Sequence, residues 1–207
     1  VLKLAPATMC KLNSGLIILS DVPLKNAKTL DYSRCTSWDC FARKGVVKVE
    51  LDIPGAPYTL TLYNTHTNSD PDTDPGADIE ITRAVRLSQV QELREFITET
   101  KASNAPAIAI GDFNFKPFDE EYTSFTALSL FNDATEYCSL RTLCAGAAAQ
   151  SIKDTWKGSL DHEFFISGVS PRMTVQPTRY ENLFTEPVGG RMLSDHIGVM
   201  IDYDLAW

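Results

Sequence analysis

Hydrophobic and polar residues alternate along two neighbouring stretches of the chain, which predicts a β-hairpin. Val46–Ile53 reads VVKVELDI, Tyr58–Tyr63 reads YTLTLY, and the turn-forming dipeptide Pro54-Gly55 lies between them. Alternation at every second position is typical of strands that bury one face. Short apolar runs predict further strands at Leu16–Leu19, Ala107–Ile110, Glu163–Ile166 and Val199–Tyr203.

A different spacing predicts a long helix from Ile79 to Thr98. Apolar residues recur there three or four positions apart, as expected for a helix with one buried side. A second helix is predicted over Phe118–Leu128, whereas residues 134–160 show no pattern that favours either element. Because strands and helices are interleaved and neither a repeat nor a linker is evident, we expect one α/β domain over residues 1–207. It should consist of two packed sheets with helices outside.

Composition is that of an ordinary globular domain. The 207 residues are 43% hydrophobic and 22% charged, and no apolar run reaches the roughly 18 residues that a membrane-spanning helix needs. Nineteen basic residues against 27 acidic ones give a net charge of −8. Such a surface repels phosphate backbones and argues against tight, nonspecific nucleic-acid binding. It is compatible with a metal site, because divalent cations bind carboxylates.

Five cysteines bear on the redox environment of the protein. Cys35 and Cys40 lie in one turn-like stretch and Cys138 and Cys144 in another, so two local disulfides are conceivable, and at least one thiol remains. We expect an oxidising, extracellular environment. The alternative is five reduced thiols in a cytoplasmic protein. The opening residues, VLKLAPATMC, lack the features of a signal peptide, so we expect any such leader to lie upstream and to be removed.

The most informative polar residues follow the predicted strand Ala107–Ile110, where the chain reads AIGDFN and offers Asp112 and Asn114. Residues two apart on an extended backbone point the same way. A carboxylate and an amide oxygen would therefore face one point, as ligands of a metal-bound phosphate require. The alternative is an ordinary strand exit, in which both side chains satisfy local backbone groups.

Three other segments place polar residues at strand boundaries. Asp195 and His196 in LSDH precede an apolar strand, Thr65 and His66 end another, and Asp161 in LDHEFF begins a third. A histidine beside a carboxylate is a candidate base. Each segment taken alone is also compatible with a polar turn. All three histidines of the chain lie at such boundaries, which favours a common site.

In this order, the motifs resemble those of the endonuclease/exonuclease/phosphatase superfamily, which has the DNase I-like fold. The resembling stretches are NSGLIILS, KGVVKVEL, YNTH, IGDFN, LDHEFF and LSDH, and they extend over nearly the whole chain. The sphingomyelinase C branch is the most similar, through CTSWDCFARKG, THTNSD and a helix carrying Arg86 and Gln89. The resemblance implies a four-layer sandwich, in which helices flank two packed mixed β-sheets.

The resemblance also implies a metal site. Asp112 and Asn114 match the pair that contacts the metal and the scissile phosphate, and Asp195 matches a carboxylate near the metal. The implied cofactor is Mg²⁺, with Mn²⁺ or Ca²⁺ as alternatives.

The implied catalytic residues are two histidines and one carboxylate. His196 matches the base that takes a proton from the attacking water, and Asp161 matches the carboxylate that orients it. His66 matches a second histidine, which binds or protonates phosphate oxygens. Lys44 is expected to approach the substrate.

One part of the family pattern does not occur in this sequence. The family carries an Asn strand and then a metal-binding Glu in a Q-E context before the strand that matches NSGLIILS, and neither motif is present here. Glu50 lies in the middle of a strand and does not match that Glu. We therefore expect a fragment that lacks its N-terminal strands, whose remainder belongs to the same protein or to another chain. The alternative is a degraded metal site.

An acidic loop, Ser69–Asp78, contains four aspartates, but their spacing fails the EF-hand pattern. Pro75 stands where that pattern needs glycine, and Ile81 stands at the twelfth position. We interpret this segment as a solvated loop, with a secondary cation site as the alternative. The four aspartates are Asp70, Asp72, Asp74 and Asp78.

Three functions are compatible with these observations. The first is a Mg²⁺-dependent phosphodiesterase that acts on a phospholipid head group such as sphingomyelin, at a membrane surface. The second is a secreted nuclease, although no basic cluster longer than Arg43-Lys44 is visible. The third is a non-catalytic binding module with a degraded metal site.

Overall fold

The computed structural model describes residues 2–3, 13–70, 78–129, 131–140, 144–169 and 172–207. The strands are β1 (Leu2–Lys3), β2 (Ile17–Ile18), β3 (Leu24–Asp31), β4 (Gly45–Leu51), β5 (Leu60–His66), β6 (Ala107–Asp112), β7 (Asn132–Asp133), β8 (Ala145–Gly146), β9 (Asp161–Ile166), β10 (Gly168–Val169), β11 (Arg172–Leu183) and β12 (Gly198–Ala206). The helices are α1 (Ile79–Thr100), α2 (Glu120–Ser129), α3 (Ala134–Leu140) and α4 (Ala149–Gly158), and a short 3₁₀ turn spans Ser37–Phe41.

A six-stranded sheet in the order β3-β4-β5-β6-β9-β7 determines where the polar segments meet. The predicted hairpin is confirmed as β4 and β5, which pair antiparallel from Gly45 opposite His66 to Leu51 opposite Leu60. Strands β5 and β6 are parallel, and β9 runs antiparallel to β6. The starts of β4 and β9 and the ends of β5 and β6 therefore lie at one edge of the sheet.

The second sheet consists of β10, β11 and β12, with β8 parallel to β11. Strand β11 was not predicted from the sequence, because Pro177 in its middle lacks an N–H group and argues against a paired strand. The structure accommodates this proline with a shift of register between Pro177 and Arg179. Among the described residues, β12 pairs with β11 alone, so its other edge is open.

The main core lies between the six-stranded sheet and the helices α1 and α2. Tyr63, Ala109 and Phe164 of the sheet pack there against Val90 and Phe125 of the helices. The predicted helix α1 is confirmed and ends two residues later than expected. In its first half, three polar residues are buried together with Val85, whereas its second half buries the predicted apolar residues.

The opposite face of the six-stranded sheet packs against the second sheet. Ile108 and Phe165 meet Val175 of β11 and the partly buried Tyr203 of β12. Helices α3 and α4 lie in the stretch for which the sequence predicted no element, and they pack against β11. The expected α/β sandwich of two packed sheets with helices is therefore present. Among the described residues, no helix is long and apolar enough to cross a membrane.

The structure contains both local disulfides that the cysteine spacing suggested. Cys35 is bonded to Cys40, and Cys138 is bonded to Cys144. Cys10 lies outside the described residues.

Candidate active site

Residues from four strands stand side by side at the edge of the sheet where β5 and β6 end. Gly45 is paired with His66, His66 with Asp112, and Asp112 with Asp161. Residues paired across neighbouring strands project to the same face. The register of the sheet therefore brings together three predicted site residues that are far apart in the sequence.

His196 joins this row from the other sheet. It lies just before β12, and its Nδ1 is 2.6 Å from Oδ2 of Asp161. The hydrogen bond to Asp161 raises the pKa of His196 above its ordinary value, although partial burial opposes the shift. Both side chains are 35% exposed, so solvent and a substrate can reach the pair. Because Nδ1 is occupied by the carboxylate, Nε2 is the nitrogen that is left to exchange a proton.

The second predicted histidine lies between a cation and a carboxylate. His66 Nε2 is 2.6 Å from Nζ of Lys44 and 3.3 Å from Oδ2 of Asp112. Burial lowers the pKa of Lys44, even though the nearby Asp39 opposes this effect. Burial acts to raise the pKa of Asp112, but the hydrogen bond and charge of His66 hold it below its ordinary value. Lys44, predicted to approach the substrate, is therefore in contact with the candidate site.

Asn114 reaches the site for a reason other than the predicted strand alternation. Strand β6 ends at Asp112, and Asn114 has a left-handed backbone with φ of 51°. Its backbone N–H donates to Oδ1 of Asp112 at 3.0 Å, and its side-chain Nδ2 donates to the carbonyl of Thr67 at 3.0 Å. A turn, not an extended strand, therefore places the two residues together.

Gly111 allows β5 and β6 to approach each other just before this turn. Its φ is +139°, and a Cβ at this position would lie 2.0 Å from the carbonyl oxygen of Thr65. A side chain there would push the two strands apart, so the glycine of the AIGDFN motif is required by the backbone.

Two carboxylates and one imidazole form a candidate metal site at the centre of this row. One ligand atom each from Asp112, Asp161 and His196 lies within 4.8 Å of the others. Hard carboxylate oxygens are what Mg²⁺, Mn²⁺ and Ca²⁺ prefer, so the donor set fits a divalent ion. Asp195 is exposed and does not belong to this group, although its charge helps to raise the pKa of His196. Its role as a metal ligand stays a prediction.

The third histidine does not join the site. His162 follows Asp161 on β9, and only 2% of its surface is exposed. Neighbouring residues on a strand point to opposite faces, so Asp161 projects towards the site while His162 projects into the core. The inference that all three histidines mark one site is therefore wrong for His162.

The disulfide loop between Cys35 and Cys40 supplies a residue that the sequence analysis missed. Asp39 Oδ1 lies 3.2 Å from Nζ of Lys44, and its Oδ2 accepts a hydrogen bond from the backbone N–H of Ser69 at 2.5 Å. Asp39 thus connects the loop to Lys44. Its position five residues before Lys44, inside the disulfide, is the only signal that the sequence offers.

Arg86 and Gln89, which the branch resemblance singled out, hold the segment after β5. Arg86 donates to the carboxylates of Glu121 at 2.9 Å and Asp70 at 2.5 Å. Gln89 accepts from the backbone N–H of Asn68 at 2.8 Å. These buried side chains support the site from behind and do not line it.

The remaining acidic candidates lie away from the row or beyond the described residues. Asp70 pairs with Arg86, and Asp78 caps helix α1 by accepting from the N–H of Glu80. The interpretation of this segment as a solvated loop, and the alternative of a secondary cation site, concern residues 71–77, which lie outside the described ranges. Glu50 forms an ion pair with Lys48. The position opposite Glu50 on β5 lies five residues before His66, which corresponds to roughly 16 Å along the strand.

Comparison with known proteins identifies solved structures of similar fold. No protein-family model matches the chain, and no curated relative is found. Among solved structures, magnesium-bound beta toxin from Staphylococcus aureus (the F277A, P278A mutant) is 17% identical over 93% of this chain and 67% of its own, with a TM-score of 0.57. Sphingomyelinase C from Streptomyces griseocarneus is 18% identical over 90% of this chain and 64% of its own, with a TM-score of 0.56. TDP2 from D. rerio, complexed with a single-strand DNA product, is 16% identical over 88% and 68%, with a TM-score of 0.63.

These similarities define the class of fold. The chain has the DNase I-like fold that the order of its motifs implied. The chain spans less than two thirds of the length of several similar solved structures, for example 64% of that sphingomyelinase C and 64% of SmcL.

Proposed function

We propose that the chain is the catalytic part of a metal-dependent phosphodiesterase that hydrolyses a phospholipid head group. The observation that carries this proposal is the 2.6 Å contact between His196 and Asp161, next to the carboxylate of Asp112. Hydrolysis requires a group that takes a proton from water as the water attacks phosphorus. A neutral imidazole held by a carboxylate, at an exposed edge, is suited to this task.

Each residue of the row has a proposed part in the reaction. Asp161 keeps Nδ1 of His196 engaged, so that Nε2 receives the proton of the water. His66 and Lys44 present nitrogen donors for the oxygens of the phosphate, and Asn114 adds an amide. We propose Asp112 as the central metal ligand, because it belongs to the group that Asp161 and His196 complete. Asn114 and Asp195, the other predicted ligands, are proposed to join it when an ion binds. A bound divalent ion such as Mg²⁺, Mn²⁺ or Ca²⁺ would neutralise charge on the phosphoryl oxygens.

Charge and exposed apolar surface favour a lipid substrate over a nucleic acid. The longest basic cluster is used inside the protein, since Arg43 pairs with Asp31 and Lys44 with Asp39. A net charge of −8 repels a polyanion. Exposed apolar side chains occur on both sides of His196 along the chain, and an apolar rim is suited to contact with a membrane surface. They are Phe184, Val188, Met192, Leu193 and Ile197.

A nuclease is the second candidate, favoured by the similarity to TDP2 complexed with single-strand DNA product. A binding module without catalysis is the third function that the residues of the chain leave open, and the same experiment tests it.

The deciding experiment measures hydrolysis of sphingomyelin vesicles and of plasmid DNA by the purified full chain. Each substrate is assayed with Mg²⁺ and with EDTA. We expect Mg²⁺-dependent release of the lipid head group and little cleavage of DNA. Cleavage of DNA alone would replace the proposal with the nuclease. Absence of both activities, together with absence of Mg²⁺ binding in calorimetry, would favour the binding module.

The open edge of β12 suggests how the site is completed. We propose that a further segment of the same protein adds strands there, because the similar structures are longer than this chain and an unpaired edge is a liability. The messenger RNA upstream of the Val1 codon tests this idea. An encoded Asn strand followed by a Q-E strand is expected, and their absence would contradict it.

We further propose that the protein is secreted, because the disulfides Cys35–Cys40 and Cys138–Cys144 persist in oxidising compartments. Mass spectrometry of alkylated native protein should find these four cysteines unmodified. Alkylation of all four would favour a cytoplasmic protein.

A further inference from the structure

His162 lies in the core directly behind the row of site residues, and the proposed reaction leaves it without a role. Its ring packs between the rings of Phe115 and Phe164, each with a centroid 5.3 Å away. A polar ring enclosed by aromatic side chains is costly unless its nitrogens are hydrogen-bonded. The partners of the two nitrogens therefore indicate what this histidine does.

Both ring nitrogens meet oxygen atoms. Nε2 is 3.0 Å from the backbone oxygen of Phe115, and because a carbonyl only accepts, Nε2 is the donor. Nδ1 is 3.1 Å from Oδ2 of Asp133. Asp133 is itself fixed, since it also accepts from the indole N–H of Trp156 at 3.1 Å and from the backbone N–H of Glu136 at 3.0 Å. Asp133 thus fixes one side of the imidazole ring, and the other side binds the carbonyl of Phe115.

That carbonyl belongs to the turn that carries Asn114. A left-handed φ of 51° costs free energy for a residue other than glycine, so the surrounding structure must hold the turn. Thr67 holds one side, because its hydroxyl donates to the carbonyl of Phe113 at 2.5 Å. His162 holds the other side through Phe115. The turn is therefore fixed between β9 and the segment that follows β5.

We propose that His162 is a positioning residue of the site. Its imidazole ties the Asn114 turn to β9, the strand that carries Asp161, and so maintains the spacing between these two site residues. Asp133 orients the ring for this purpose. The inference rests on the proposed phosphodiesterase activity for its kinetic consequences, whereas the structural link can be tested without any activity.

Two substitutions of His162 test the proposal. His162→Phe keeps the aromatic packing and removes both hydrogen bonds. His162→Gln retains an amide donor that can reach the carbonyl of Phe115. We expect kcat to fall roughly 10- to 100-fold in the Phe variant, as for other residues that orient ligands, with KM changed much less. The Gln variant should recover most of kcat.

Trp156→Phe is the matched control, because it removes a hydrogen bond to the same oxygen of Asp133 without touching the turn. It should lose thermal stability, as His162→Phe does, while keeping kcat. Equal losses of kcat in the two variants, or an unchanged kcat in His162→Phe, would overturn the proposal. If His162→Phe does not fold, failure of folded His162→Gln to retain at least a tenth of kcat would contradict it equally.

A readout that needs no substrate separates this inference from the proposed function. The backbone amide NMR signals of Asn114 and Asp161 should shift in His162→Phe and stay close to wild type in Trp156→Phe. If wild type hydrolyses neither substrate but these signals shift as expected, the proposed function fails and the structural link stands. Unshifted signals would refute the link whatever the activity.

Discussion

The chain contains two Asp-His pairs, and the structure uses them in opposite ways. In Asp161-His162 the aspartate faces the site and the histidine is buried in the core. In Asp195-His196 the histidine faces the site and the aspartate is exposed to solvent. One residue from each pair forms the 2.6 Å contact between Nδ1 of His196 and Oδ2 of Asp161.

The difference arises from the backbone around each pair. Asp161-His162 lies within β9, where successive side chains point to opposite faces of a sheet that is covered on both sides. Asp195-His196 lies in the connection before β12, where one side chain can turn to the site while the other stays in water. The Asp-His dipeptide therefore does not by itself indicate which of its residues is functional. The local backbone structure determines which side chain faces the site.

The largest expected effect concerns the two histidines. We expect His196→Ala to lower kcat by roughly 10²–10⁴, the usual contribution of a general base, with little loss of stability, since its side chain is 35% exposed. His162→Ala should lower the melting temperature strongly, besides the loss of kcat expected of a positioning residue, because it leaves a cavity and removes one hydrogen-bond partner from the buried carboxylate of Asp133. Initial rates and thermal unfolding of both variants test this contrast. Full activity in His196→Ala would refute the assignment of the base.

The aspartates of the two pairs should differ in how magnesium affects them. Asp161→Asn removes the charge that orients His196, so we expect kcat to fall roughly 100-fold at any Mg²⁺ concentration. Asp195→Asn should raise the Mg²⁺ concentration needed for half-maximal activity, with kcat recovering at saturation. Rates measured across a Mg²⁺ titration distinguish the two roles. Recovery of Asp161→Asn at high Mg²⁺ would assign Asp161 to the metal site instead.

The acid side of the pH profile offers a smaller test of the same contact. His196 acts as a base only when neutral, and its hydrogen bond to Asp161 raises its pKa above the ordinary 6.5. Activity should therefore rise with pH through a midpoint above 6.5 in the wild type. The midpoint should move to lower pH in Asp161→Asn, because the neutral amide no longer favours the imidazolium. The measurement is kcat/KM from pH 5 to 9 at saturating Mg²⁺. An unchanged midpoint would show that another group controls this limb.

The sequence predicted those strands and helices whose residues show a clear local pattern. The hairpin of β4 and β5 follows from alternation and a Pro-Gly turn, and α1 from its apolar spacing. Strand β3 was missed because it is largely exposed and carries no alternation. Helix α4 was missed because it buries only Ile152 and Trp156, and packing stabilises so short a helix more than its own propensity does.

The site was predictable as a set of residues and less so as an arrangement. The order of the motifs singled out His66, Asp112 and Asp161, but only the register of the sheet shows that they stand side by side. Asp39 acts through the fold of a disulfide loop, which no spacing rule reveals. The contact between Asp161 and His196 depends on how the two sheets pack against each other. No local stretch of sequence predicts that packing.

The smallest effect concerns Glu163, two residues after Asp161 on the same face of β9. Burial raises its pKa from 4.5 to about 7, although a hydrogen bond from the hydroxyl of Tyr203 opposes the shift. Between these values the unfolded chain releases a proton that the folded chain keeps, so the free energy of unfolding should decrease as pH rises. Glu163→Gln retains an acceptor for Tyr203 and cannot ionise. We expect its melting temperature to exceed that of wild type by a few degrees at pH 8 and to match it more closely at pH 5. Parallel pH dependences of the two melting temperatures would show that burial does not raise the pKa of Glu163, and would leave Asp161 as the acidic residue of β9 whose environment matters.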